Sequence, residues 1–191
     1  MKKLLVLALI IFAKSAFAQK DTVGLNVPFV NNTVVYERVF NVPGASKNLL
    51  YSNAGLWFAE THPYVQDTQL ELVDPVLSRV VGRIKSYTVV VTDKVLWQTY
   101  YGNITYNFTL QVDCKDDKYR IRIYNIQDIL GNDYTPVDNL MFALISSKSY
   151  TLANAAVLKV PDLKQRFQAL NTIVNNVMAD LTKNMLVDNS F

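Results

Sequence analysis

Residues that carry chemistry are scarce in this 191-residue chain, which holds one cysteine, one histidine and six glycines. One thiol cannot close an internal disulfide, and one thiol with one imidazole cannot complete a zinc-type ligand set. The glycines are scattered, and no G-x-x-x-x-G-K-[ST] run is present to cradle a phosphate. His62 stands before Pro63 at an expected helix end, where a capping or surface role is the simpler reading. No nucleophile is marked around it by local spacing. The adjacent Asp116 and Asp117 read as turn formers rather than an acid–base pair. Cys114 reads as a half-buried, unpaired thiol whose pKa the neighbouring Asp113 raises. No catalytic residue, cofactor or metal site is therefore expected.

Long apolar runs are also missing, apart from the N-terminus. Lys2 and Lys3 precede an apolar run from Leu4 to Phe12, and Ala16-Phe17-Ala18 has the small-x-small form of a signal-peptidase site. Cleavage between Ala18 and Gln19 is expected, because the run falls short of the roughly 20 residues that span a bilayer. Gln19 rather than a cysteine stands directly after that point, so there is no acceptor for a lipid there. The mature chain is expected to be periplasmic or secreted, without stable membrane insertion. Lys2, Lys3 and Lys14 leave with the leader, which takes 19 basic residues down to 16, equal to the 16 acidic ones. A net-neutral exported chain lacks the concentrated positive field that phosphate backbones require, so no nucleic acid is expected as partner.

What the sequence does have is alternation. In Asn103 to Ile126, Tyr106, Phe108, Leu110 and Val112 alternate with Asn107, Thr109, Gln111 and Asp113. Tyr119, Ile121 and Ile123 then alternate with Arg120, Arg122 and Tyr124. This is the period of two half-buried antiparallel strands, apolar on one face and polar on the other. Cover for the apolar face comes from Asp162 to Met185, where Leu163, Phe167, Leu170, Val174, Val177, Leu181 and Met185 form one helical stripe behind Pro161. At roughly 1.5–3 kcal/mol per fully buried large side chain, that stripe contributes more than about 10 kcal/mol of gross apolar stabilisation.

The remaining elements follow in order. Residues 19–32 read as an N-terminal arm, and residues 33–187 as a single domain. Thr33 to Phe40 reads as a strand. A helix follows with Ser46 as N-cap and Leu50, Ala54, Trp57 and Phe58 on one face. Gly55 within it marks either close packing or a weak spot. Thr68 to Val73 and Ser78 to Val91 read as strands, Thr92-Asp93-Lys94 as a turn, and Val95 to Tyr101 as a short strand or loop. Residues 127–160 show a weak pattern, with a turn at Gly131-Asn132-Asp133 and a short helix over Pro136 to Ile145.

The order strand, helix, four strands, helix now carries a resemblance. Val35-Tyr36, the run Pro43-Gly44-Ala45-Ser46-Lys47 leading to Leu50-Tyr51 and Trp57, Val81-Gly82-Arg83-Ile84, and Lys118-Tyr119-Arg120 after an acidic turn resemble an exported bacterial family. That family is a domain of unknown function with a TATA-binding-protein-like (TBP-like) fold. The resemblance covers about Thr33 to Ile126 plus the last helix. It implies an α+β, TBP-like β-α-β(4)-α domain, a curved antiparallel sheet with two helices on one face. It implies no activity.

With helices on one face, alternation places Arg79, Arg83, Lys85, Asn107, Thr109, Gln111, Arg120, Arg122 and Tyr124 on the other. An ordinary solvated sheet face is the bland reading. The sharper expectation is a non-catalytic binding domain whose face recognises an acidic or glycan-bearing partner, protein or glycan, at the cell envelope. Arg79, Arg83, Arg120 and Arg122 would supply charge-assisted donors and Tyr124 a stacking surface. The alternative is a carrier of a small apolar ligand, held between the last helix and the sheet by Tyr106, Phe108, Tyr119 and Phe167.

Overall fold

The computed structural model describes residues 24–95, 98–152 and 157–186. The expected leader, residues 1–18, and the first part of the arm lie outside the described residues. The strands are β1 (Phe29–Val30), β2 (Thr33–Val34), β3 (Tyr36–Asn41), β4 (Val65–Asp74), β5 (Arg79–Val95), β6 (Gln98–Lys115), β7 (Lys118–Leu130), β8 (Asp133–Pro136), β9 (Tyr150–Thr151) and β10 (Val157–Leu158). The helices are α1 (Lys47–Ala59), α2 (Val137–Ile145) and α3 (Val160–Met185).

The main sheet is antiparallel throughout, in the order β3-β7-β6-β5-β4, with β8 also paired to β7. Its register turns the alternation into two chemically distinct faces. Tyr106, Phe108, Leu110 and Val112 of β6 and Tyr119, Ile121 and Ile123 of β7 are all buried on the helix side. The stripe on α3 from Leu163 to Met185 is buried against them in one continuous core. Polar residues at the intervening positions face away from the helices.

Local chemistry sets the ends of the helices. Ser46 caps α1, its hydroxyl accepting the Leu49 N–H at 3.2 Å. The Asp116 and Asp117 turn does more than turn: Asp116 Oδ1 accepts from Lys47 N at 2.8 Å and Asp117 Oδ1 from Gly44 N at 2.7 Å. Two acids distant in sequence thus secure the loop into α1. At the start of α3, Lys159 N donates to Asp162 Oδ2 at 2.8 Å and Pro161 lies in the first turn. A nearly buried ion pair fastens α3 to the sheet, with Arg166 Nη1 2.7 Å from both carboxylate oxygens of Asp128.

The expected β-α-β(4)-α order is present as β3, α1, β4 to β7 and α3, and to it are added β8 and the expected short helix α2 beside β7, with the short ladders β1–β2 and β9–β10 before and after them. Several other expectations need correction. Residues 33–40 are two strands rather than one, since Val34 N donates to Asp138 Oδ1 and Val35 N to the Pro28 carbonyl, turning the chain between β2 and β3. The arm is tied down where it is described, with Val27 buried in the core. Thr92-Asp93-Lys94 is no turn. It lies inside β5, which continues to Val95 with an irregularity between Val91 and Asp93. Cross-strand pairing there overrides the local turn chemistry. Residues 87–95 and 98–104 pair only with each other, making a two-stranded ribbon beyond the rest of the sheet.

Two glycines make opposite demands. A Cβ on Gly82 would lie 2.8 Å from Phe58 Cδ1 and 3.0 Å from the Gln69 carbonyl oxygen, where α1 crosses β5. A Cβ on Gly55 would meet nothing within 4 Å, which makes Gly55 the weak spot. Urea denaturation should therefore show Gly82→Ala losing about 1–3 kcal/mol and Gly55→Ala gaining up to about 1 kcal/mol. Equal effects would contradict this packing of α1 on β5.

Candidate functional site: the open sheet face

All five residues singled out from the sequence lie on the face away from the helices, as their pairing shows. Arg79 stands across from Asp113 and Asp113 from Arg120, Gln111 from Arg122, and Arg83 from Thr109 and Thr109 from Tyr124. β3 adds Glu37 opposite Arg122 and Val39 opposite Arg120. The sequence placed the arginines together but did not show what they hold.

Asp113 is the hub. Arg79 Nε donates to its Oδ1 at 2.5 Å, Arg120 Nη2 to Oδ2 at 2.7 Å and Gln111 Nε2 to Oδ2 at 2.9 Å. Glu37 continues the network with Arg120 at 3.6 Å and Arg122 at 3.7 Å. The Arg122 guanidinium sits 5.2 Å from the centre of the Tyr124 ring, and Tyr124 OH donates to Gln111 Oε1 at 3.4 Å. Arg83 stands apart and pairs with Glu71 at 2.8 Å. Each of the four arginines thus meets an acid on the sheet itself, which lowers the net positive charge the alternation promised.

Above this network the face changes character. At the β6–β7 ladder the register shifts between Asn107 and Thr109, so that Asn125 and Ile126 stand opposite Phe108. Asn125 adopts φ +51°, a left-handed conformation that asparagine tolerates well, as a bulge of this kind requires. The bulge opens a cavity of about 370 Å³ lined by Arg83, Asn107, Thr109, Asn125, Gln127 and Asp138. Asn125, Gln127 and Asp138 were not among the residues singled out from the sequence. The only local signal was an asparagine within a β-branched run, and the shift itself depends on the partner strand.

The single histidine and the single cysteine lie away from this face. The His62 side chain is 6% exposed at the junction of α1 and α3, with Nε2 2.7 Å from the Trp57 carbonyl oxygen and Nδ1 2.6 Å from Asp180 Oδ2. Its ring stacks on Trp57, whose Nε1 also donates to Asp180 Oδ2 at 2.9 Å. With both nitrogens engaged, the imidazole ties two helices together. Cys114 is fully buried rather than half-buried, and burial, reinforced by the Asp113 charge, pushes its thiol up to about 12. Among the described residues, no group of three or more His, Cys, Asp or Glu is placed to hold a metal ion. Nor is any described helix long and apolar enough to cross a membrane. The pocket expected between α3 and the sheet is filled: Tyr106, Phe108, Tyr119 and Phe167 are each 1% exposed and pack into the core.

Fold and face together define an α+β domain of the TBP-like class, with helices on one side of an antiparallel sheet. Residues 36–128 match the family described as a domain of unknown function (DUF4468) with TBP-like fold. Solved structures agree on the fold. A DUF4468 family protein from Bacteroides ovatus is 15% identical with a TM-score of 0.61, the alignment covering 89% of this chain and 95% of that one. A TBP-like protein from Parabacteroides distasonis is 14% identical with a TM-score of 0.60, covering 83% of this chain and 96% of that one. No curated protein matches.

The hub has a pH signature. Burial pushes the Asp113 carboxyl up, but hydrogen bonds from Arg79, Arg120 and Gln111 outweigh it and hold the pKa below its ordinary value. A carboxyl depressed in the folded state stabilises the fold above its unfolded pKa of about 4. That stabilisation is lost as pH falls through the folded value. Asp113→Asn should accordingly lower stability at neutral pH and flatten the acid loss, measured by urea denaturation across a pH series. An unchanged acid slope would contradict the hub.

Proposed function

We propose that the chain is a non-catalytic binding module, acting at the cell envelope after removal of residues 1–18, and that its open sheet face is the binding surface. The observation that carries this reading is the Asp113-centred network. It holds Arg79, Arg120, Gln111 and, through Glu37, Arg122 in set positions on a face that no described helix covers. Side chains fixed before a partner arrives lose less entropy on binding. Because the guanidiniums are already paired, recognition rests on hydrogen-bonding geometry more than on net charge. Arg79, Arg83, Arg120, Arg122 and Tyr124 are the proposed contact residues. A non-catalytic reading is supported by the engaged imidazole of His62 and the buried thiol of Cys114. The apolar-carrier alternative is set aside, because the side chains that would enclose its ligand fill the space themselves.

The test is partner capture from an envelope extract with the mature protein and with a variant carrying Arg79→Ala, Arg83→Ala, Arg120→Ala and Arg122→Ala. Partners retained by the parent and lost by the folded variant are the expected outcome. Identical partner sets would overturn the reading.

A further inference from the structure

We infer that the trough at the β6–β7 bulge is a binding site for a neutral saccharide. This rests on the open face being the binding surface, and it names the ligand class. Beside Phe108, Ile126 and Pro136, the lining presents three carboxamides: Asn107, Asn125 and Gln127 each offer a donor and an acceptor, and Thr109 adds a hydroxyl. Sugar hydroxyls donate and accept at once, so mixed amide groups suit them better than a single-sign charge cluster does. Among the described residues, Asn107, Asn125 and Gln127 make no side-chain hydrogen bond, which leaves those groups for a ligand or solvent.

Charge at the trough disfavours an anion. Arg83, the cation in the lining, is paired with Glu71 at 2.8 Å. Asp138 faces the same cavity and keeps one oxygen beyond the bond it accepts from Val34 N. An acidic ligand would meet a neutralised guanidinium and a carboxylate. A neutral polyol meets neither penalty.

Aromatic residues flank the trough on both sides along the strands. Tyr124 lies in the row of Thr109 and Arg83, with its ring under the Arg122 guanidinium. On the opposite side, register lines up Tyr134, Ile129, Thr105 and Tyr87, and the two tyrosines are 56% and 38% exposed. Tyrosine rings present a flat apolar face with a polar tip, which fits the C–H face and hydroxyl edge of a sugar ring. A cavity of about 370 Å³ falls within the size of small-ligand sites.

The experiment is binding of the mature protein to an array of neutral oligosaccharides built from glucose, galactose, mannose and N-acetylglucosamine, beside polygalacturonate as an anionic probe. Retention of a neutral oligosaccharide is expected, little changed as ionic strength rises from about 0.05 to 0.5 M. Asn107→Ala and Gln127→Ala should each weaken it about tenfold, and Tyr134→Ala should weaken it through lost stacking. All three variants should keep the parent's circular dichroism. If a variant fails to fold, Gln127→Glu serves in its place and should weaken neutral binding without improving retention of polygalacturonate. Three results would overturn the inference: no neutral oligosaccharide retained, retention unaffected by the trough variants, or polygalacturonate preferred. If the array is blank while the arginine-dependent partners are still captured from extract, the saccharide inference fails and the open-face reading stands. If both experiments are blank, both fall.

Discussion

The constraint on which the rest of the structure depends is that, among the described residues, one sheet face is sealed by helices and the other is not. Strand β6 shows it best. Along a single segment, Tyr106, Phe108, Leu110 and Val112 lie in the core, while Asn107, Thr109, Gln111 and Asp113 lie on the opposite face, where Thr109 and Gln111 are themselves largely covered, at 6% and 7% exposed. A slip of one residue would exchange the two sets, carrying four polar side chains into the apolar core and removing four large apolar ones from it. Register is therefore fixed by the core, and the position of every outward residue is fixed with it. The polar face owes its order to the apolar one.

That dependence explains how a mostly irregular set of attachments is tolerated. Helix α3 supplies the long apolar stripe, and α1 is held to it through the Trp57, His62 and Asp180 cluster. The Asp128–Arg166 pair adds a polar fastening within an apolar interface. Burial pushes the Asp128 carboxyl up, and Arg166 offsets this only in part. Such a pair is weak as a source of stability and better understood as fixing how α3 sits on the sheet.

How much of this was legible in the sequence follows from the range of the interactions. Periodic, local patterns were readable: the alternation in β6 and β7, the α3 stripe, the Ser46 cap and the proline at the start of α3. Features set by a partner strand were not. Asp113 looked like one more polar residue, because its donors Arg79 and Arg120 reach it from neighbouring strands. The bulge at Asn125 is invisible without the register of β6. Thr92-Asp93-Lys94 carries turn-type residues yet lies in β5, since pairing with β6 outweighs local preference. The β8 and α2 segment showed little period because its elements are short. The open face was thus legible as a face, while its trough, with Asn125, Gln127 and Asp138, was not.

Neighbouring positions on β7 test the division between a face that folds the protein and a face left for binding. Ile121 and Ile123 point to the core, whereas Arg122 and Tyr124 alternate with them on the open side. The decisive measurement is urea denaturation of Ile121→Ala beside Arg122→Ala and Tyr124→Ala. A loss of about 2–5 kcal/mol is predicted for Ile121→Ala. Losses within about 1 kcal/mol are predicted for the two open-face variants, whose side chains interact at a solvent-exposed surface. Comparable losses at all three positions would show that the open face is spent on stability, and would contradict its role as a surface kept free for a partner.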